Sequence, residues 1–226
     1  MSYAFMDNWS HESIRLSDGS YINLRDPDYT KVPLWVLAES VSHDARYTGH
    51  GKRKLRVGEH LWRGAPLARR AYEVTVRRLT HCSTTAVAEP DPAMLLIVAK
   101  CPRLDPELVE RCYLMHDLHE GAVGDATRAM KRLVPGIEEL ERVHYLRLRE
   151  QLGLPGPDHP VWQVVKWVDG NVCFNEIAQM WQEDVPERDL YHLVGNLDLP
   201  IRYEFLEPEG LTQDLCSALS RFWNIT

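Results

Sequence analysis

The chain is expected to fold as an all-α domain carrying a small β-hairpin at its N-terminus. Three observations predict this. Strict alternation of apolar and polar residues occurs in Ile14-Arg15-Leu16 and Tyr21-Ile22-Asn23-Leu24, on either side of the turn Ser17-Asp18-Gly19-Ser20. Nearly everything after Leu24 reads as helical segments separated by proline and glycine stops. The length of 226 residues, 44% of them hydrophobic, allows a substantial core but is short for two domains, so residues 1–226 are read as one.

Each element follows from local signals. Asp26-Pro27-Asp28 breaks the chain after the hairpin, and Val32 to Ser42 has helical periodicity. Thr48 to Lys54 is a glycine-containing basic loop, in which Lys52, Arg53 and Lys54 are read as a solvated turn rather than a nucleic-acid patch. A long helix is predicted from Val57 to Thr80, with Pro66 expected to kink or interrupt it. Glu89-Pro90-Asp91-Pro92 and Cys101-Pro102 form two turns around a short apolar segment, Ala93 to Ala99. Asp105 as N-cap and Pro106 at the first position open a helix expected to stack Leu108, Cys112, His116 and Glu120 on one stripe. The helix of Glu138 to Leu152 stops at Gly153-Leu154-Pro155-Gly156-Pro157, and the helix carrying Asp169 begins near Pro160. Beyond Trp181, Arg188 to Gly195 and Leu211 to Trp223 are predicted short helices around the loop Leu199 to Gly210, forming an accessory packing or homo-oligomer surface.

Charge and cysteine usage exclude several function classes. A net charge of −7 argues against a dedicated surface for duplex nucleic acid, which selects a basic excess. Small anionic substrates remain open, because a local Arg/Lys pocket or a bound cation can reverse the field. The five cysteines are odd in number and contain no Cys-x-x-Cys pair, which points to reduced thiols in a cytoplasmic protein and away from zinc-ribbon chemistry. Met1 to Ser10 has neither a basic start nor an apolar core, and no apolar run approaches about 18 residues, so neither export nor a membrane span is expected.

The chemistry concentrates in Tyr113 to Asp125. His116 and Asp117 are offset by about 100° around a helix, so an imidazole and a carboxylate can converge on one ion, with Glu120 one turn later. A second His-Asp pair, His43-Asp44, lacks both the following glutamate and the apolar helical face. His43, His81, His119, His144, His159 and His192 are read as surface or hydrogen-bonded core residues. Cys112 lies in an apolar stripe with no dedicated base and is read as packing. Neither a Gly-x-Ser-x-Gly elbow nor a Walker-type phosphate cradle is present.

The order His116, Asp117, Glu120, Gly124, Asp125 and Lys131 resembles the HD-domain superfamily of metal-dependent phosphohydrolases. The likeness is greatest to its compact nucleotidase branch, whose motif runs His-Asp-x-x-Glu-x-x-x-Gly-Asp and then Lys. Upstream, Arg46-Tyr47 followed by Val57-Gly58-Glu59-His60 resembles that branch's Arg-aromatic segment and Val-Ala-Glu-His-Ser-like helix start, with Gly58 and Leu61 in place of the usual Ala and Ser. Downstream, Asp169 and Glu176 match a late-helix Asp with Glu seven residues on. The three pieces span roughly residues 20 to 180, and against this pattern residues 82 to 104 read as an insertion.

The resemblance implies a metal shell of His60, His116, Asp117 and Asp169 for a divalent transition metal such as Mn²⁺, Co²⁺, Fe²⁺ or Zn²⁺, with additional Mg²⁺ accompanying a triphosphate substrate. It implies Glu120 as general acid/base or orienter of the attacking water, and Arg46 and Lys131 as phosphate partners. Tyr47 either stacks on a base or fills a helix junction, and Asp125 either contacts sugar hydroxyls or braces the site. The implied activity is hydrolysis of a deoxyribonucleotide. A dNTP triphosphohydrolase like the small phage-type dATP enzymes is the first reading, and a 5′-deoxynucleotidase the second. A nucleotide-binding HD module without turnover is the reading from a different class.

Overall fold

The computed structural model describes residues 12–46, 51–80, 92–181 and 203–225. It is mostly helical, with one two-stranded antiparallel sheet among the described residues, as expected. Strands β1 (Ser13–Arg15) and β2 (Tyr21–Asn23) pair with Ile14 opposite Ile22. The turn between them is closed by the Asp18 carboxylate, which accepts from both the amide and the hydroxyl of Ser20. The predicted helix at Arg188 to Gly195 lies outside the described residues.

After a 3₁₀ turn at Tyr29–Lys31, helix α1 (Leu34–His43) leads to α2 (Val57–Thr80), whose ends agree with the sequence expectation. Pro66 does not interrupt α2. It stands on the exposed face, where water can serve the carbonyl that the missing N–H leaves behind, and the opposite face is held by packing. That face is a stripe of small buried residues, Gly64, Ala65, Ala68 and Ala71, which lets α4 (Pro106–Met115) approach closely. Between them, α3 (Pro92–Lys100) turns the apolar segment of the expected insertion into a helix that buries Met94 and Val98 against α2.

The helix opened by Asp105 and Pro106 is shorter than its periodicity suggests. The Asp105 side chain accepts from Glu107 N–H as predicted, but α4 ends at Met115 and α5 (Glu120–Val123) starts afresh. Between them the amides of Leu118 and Glu120 bond to the carbonyls of Met115 and Asp117, three residues back. This tighter winding brings side chains three apart into line and breaks the expected four-residue stripe from His116 to Glu120. The short α6 (Arg128–Leu133) and long α7 (Pro135–Gln151) follow, and the latter stops at the predicted Gly153 region. Helix α8 (Val161–Trp181) then packs on α2 and α4, burying Val164, Val168, Val172 and Glu176. The C-terminal α9 (Pro208–Ser220) packs on α1 and α2 through Leu211, Leu215 and Leu219. Among the described residues, no helix is long and apolar enough to cross a membrane.

His144 on α7 ties the hairpin to the bundle. Its Nδ1 lies 2.7 Å from Tyr29 Oη and its Nε2 3.0 Å from the Leu24 carbonyl. Since a carbonyl only accepts, Nε2 carries the proton and Nδ1 accepts from the tyrosine. Burial lowers the His144 pKa, more than the Leu24 bond raises it. The unfolded chain therefore takes up this proton first, so the stabilisation is complete above about pH 6.5 and is lost as pH falls from there toward the folded value. At pH 7.5 a His144→Gln variant should be less stable than the parent by about 1–3 kcal/mol, and the gap in thermal midpoint should narrow by pH 5. A constant gap between the two pH values would contradict the assignment of a neutral buried imidazole.

Candidate metal centre

Three helices meet at one point. The first turn of α2 supplies His60, the end of α4 supplies His116 and Asp117, and the middle of α8 supplies Asp169. One ligand atom from each of these four residues lies within 4.8 Å of all the others, so the cluster could hold a metal ion. His60 Nε2 is 3.3 Å from both His116 Nε2 and Asp169 Oδ1, and His116 Nε2 is 3.3 Å from Asp117 Oδ2. The four residues that the sequence groups as a shell are thus brought together.

The partners of the outer ring nitrogens decide what the inner ones can do. His116 Nδ1 lies 2.6 Å from the Tyr113 carbonyl, an acceptor only, so Nδ1 bears the proton. His60 Nδ1 lies 2.6 Å from the buried Glu176 carboxylate and donates in the same way. In the neutral rings both Nε2 atoms then present lone pairs to each other across 3.3 Å, which is repulsive unless protons or a cation stand between them. The charge environment favours the same outcome. Burial and Arg46 push the His60 pKa down, but Glu176 and Asp169 outweigh them and hold it above the ordinary value. His116 is held well above it, as Asp117 and Asp169 overcome the cost of burial. Asp117 and Asp169 both lie below the usual carboxylate range despite burial, Asp117 through His116 and Arg46, Asp169 through the two imidazoles. A field that draws two protons into this space also draws one divalent ion, and two imidazoles with two carboxylates suit a borderline transition metal.

The surroundings are arranged as carefully as the ligands. Arg46, 7% exposed, reaches Asp117 Oδ2 with Nη1 and Glu176 Oε2 with Nε, each at 3.2 Å. Its Nη2 also contacts Cys173 Sγ, which in turn lies 3.4 Å from Asp169 Oδ1. Tyr113 places its hydroxyl 3.4 Å from His60 Nε2, and its ring stands against both imidazoles. Burial pushes the Cys112 thiol up to about 12, consistent with a packing role.

Glu120, at the start of α5, is buried, and its Oε2 has no hydrogen-bond partner among the described residues. Burial raises its pKa well above the ordinary value, reinforced by Asp117 and Asp125 against the pull of Arg46 and Lys131. Lys131 stands on α6 with Nζ 2.6 Å from Glu141 Oε2, a partner on α7 that the sequence did not suggest. Asp125 anchors its loop by donating its backbone N–H to Asp44 Oδ2 at 3.0 Å, so the aspartate of the second His-Asp pair holds this loop. Tyr47 lies outside the described residues. Among the other histidines, His119 is buried and burial lowers its pKa to about 4, which leaves it a neutral core residue.

The basic loop departs from its expected solvated role at one position. Arg53 donates to the Gln179 carbonyl and stacks 4.1 Å over the Phe205 ring. Sequence reading also gave no role to Tyr113, Cys173, Glu141 or Tyr203. Of these, only Tyr113 and Cys173 carried a signal, standing three residues before His116 and four after Asp169. Compared with known proteins, the chain matches no protein-family model, and no curated protein matches it.

Glycines stand where helices approach closely. A Cβ on Gly58, in the first turn of the His60 helix, would fall 3.0 Å from Ser42 Oγ on α1, a tight approach. A Cβ on Gly64 would fall 2.2 Å from the Tyr113 ring, which rests on both histidines. Gly64→Ala should therefore push α4 away from α2 and cost ~1–3 kcal/mol by overpacking, measured by denaturant titration. Wild-type stability in that variant would show that Tyr113 moves freely and does not support the imidazoles.

Proposed function

We propose that the protein is a metal-dependent phosphohydrolase of the HD-domain type that acts on deoxyribonucleotides. One observation carries the reading: two imidazoles, their outer nitrogens tied to acceptors, aim their Nε2 atoms at two carboxylates, with a buried protonatable glutamate alongside. A divalent ion held by His60, His116, Asp117 and Asp169 supplies Lewis acidity toward a phosphoryl oxygen and makes water more acidic. The chain's own residues do the rest. Arg46 balances the buried carboxylates Asp117 and Glu176 and is the nearest guanidinium for a phosphate oxygen. Lys131, half-buried beside Glu141, offers a second positive charge near enough to interact with Glu120 and Asp117.

Hydrolysis replaces the bond between phosphorus and the nucleoside 5′-oxygen by a bond to a water oxygen, and the departing 5′-oxygen needs a proton. Glu120 is suited to deliver it, because burial shifts its carboxyl toward the protonated form and leaves Oε2 without a competing partner among the described residues. The same bond breaks whether triphosphate leaves a dNTP or phosphate leaves a dNMP. The first reading is the dNTP triphosphohydrolase, on the compact layout. The 5′-deoxynucleotidase is favoured by one observation: both Arg46 and Lys131 are already matched to carboxylates, which suits a less highly charged phosphate. Incubating the Mn²⁺- or Co²⁺-loaded protein with each dNTP and dNMP, then resolving triphosphate from phosphate, separates the two. Nucleotide binding without any product under those conditions would reject the hydrolase reading.

Glu120→Gln keeps shape and hydrogen bonding but cannot exchange the proton. It should retain bound metal and nucleotide while losing about 10²–10⁴-fold in single-turnover rate. Loss of the metal from this variant would make Glu120 a ligand, and an unchanged rate would remove it from proton transfer.

A further inference from the structure

The C-terminal segment reaches the candidate centre by two independent routes. Tyr203, buried, donates its hydroxyl to Glu176 Oε1 at 3.0 Å, the same oxygen that receives the His60 Nδ1 proton. Its backbone N–H is taken by Gln179 Oε1 one turn further along α8, which locks the tyrosine to the helix that carries Glu176. The second route runs through Glu59, the residue before His60. Its carboxylate has no exposed surface and accepts three consecutive backbone N–H groups, from Glu204, Phe205 and Leu206, at 3.0, 3.3 and 3.2 Å. Converging amides of this kind form a concave anion-binding nest, and here the anion is a side chain of the α2 first turn. Phe205 has φ of 56°, in the left-handed region that a residue with a side chain seldom adopts. The three amides converge with Phe205 held in that conformation, and Arg53 stacks on its ring. Arg63, one turn after Glu59, closes the arrangement by pairing with Glu204 at 3.0 Å.

We propose that Tyr203–Leu206 is a working part of the metal centre, which holds His60 from both sides: through Tyr203 on the carboxylate that orients its ring, and through Glu59 on its backbone. The proposal rests on the metal reading of the four-residue cluster and extends it to a segment beyond the region of family resemblance. Glu176 must present one oxygen to His60 in a fixed direction, and a carboxylate with a single partner can rotate. Tyr203 and Arg46 take its remaining directions, so that only one orientation is left. Tyr203 is accordingly a positioning residue, acting on His60 through Glu176.

The test compares Co²⁺ binding to the full-length wild type and to Tyr203→Phe, by chelator competition and by the visible absorption of the bound ion. The phenylalanine removes one hydroxyl from Glu176, the outer partner of His60, and should weaken Co²⁺ binding by about 10-fold, the low end of the range for loss of such a partner outright, and should shift the absorption bands. Arg221→Ala is the control, because Arg221 ties the C-terminus to Glu110 at 2.7 Å without touching Tyr203 or Glu59. It should leave affinity and spectrum unchanged. Equal affinity and identical spectra for wild type and Tyr203→Phe would overturn the proposal, whatever the thermal midpoint does, as would a loss of affinity in Arg221→Ala matching that in Tyr203→Phe. If Tyr203→Phe does not fold, Glu59→Gln carries the same test: weaker Co²⁺ binding supports the proposal, and wild-type binding overturns it. Absence of Co²⁺ binding by the wild type would instead reject the metal reading on which the proposal stands.

Discussion

The bond between His60 Nδ1 and Glu176 Oε1, 2.6 Å long and fully buried, is the constraint on which the centre depends. It joins α2 to α8 and settles which ring nitrogen of His60 carries its proton. Only then does Nε2 face His116 and Asp169 as an electron-pair donor. A histidine ligand whose second nitrogen is held by a carboxylate is both better oriented and more basic than a free one. On α4 the backbone does the same work, with the Tyr113 carbonyl in the place of Glu176.

Burying this much charge in a helical core is costly unless every group is matched. Arg46 does much of the matching, since one guanidinium lies between a proposed ligand, Asp117, and a carboxylate outside the ligand set, Glu176. Without a cation in the cluster, that arrangement still leaves the two imidazoles raised in pKa and the two aspartates lowered. The excess negative charge sits at the meeting point of α2, α4 and α8, and it is the physical basis for reading the place as a cation site. Glu120 is set apart from this group, because burial and the neighbouring carboxylates raise its pKa while those of the two aspartates are lowered. Environment thus pushes carboxylates within a few residues of one another in opposite directions.

Features with local signals were legible in the sequence. The hairpin turn, the Asp105 cap, the limits of α2 and the stop after α7 each follow from a few adjacent residues, and the structure places them as expected. Helical spacing pointed to His116 and Asp117, whereas His60 and Asp169 were legible only through the resemblance. The break after Met115 was not legible, because apolar spacing continues through Leu118 and Ala122 with no glycine or proline before Gly121. Pro66 does not end α2, since it stands on an exposed face braced by packing behind it. The outer supports were invisible because they pair residues distant in the chain: Lys131 finds Glu141 on another helix, and Glu59 bonds to Leu206 across 147 positions. No periodicity encodes such contacts.

The early end of α4 has an electrical consequence of its own. Peptide dipoles along a helix add to roughly half a negative elementary charge at its C-terminus, an effect confined to the last turn. Because α4 stops at Met115, with His116 as its cap and Asp117 next, that negative pole falls at this candidate ligand pair. Had the helix run on through Glu120, as its spacing suggests, the pole would lie beyond the cluster. The helix axis itself, and not only the four side chains, therefore makes this corner of the bundle attractive to a cation.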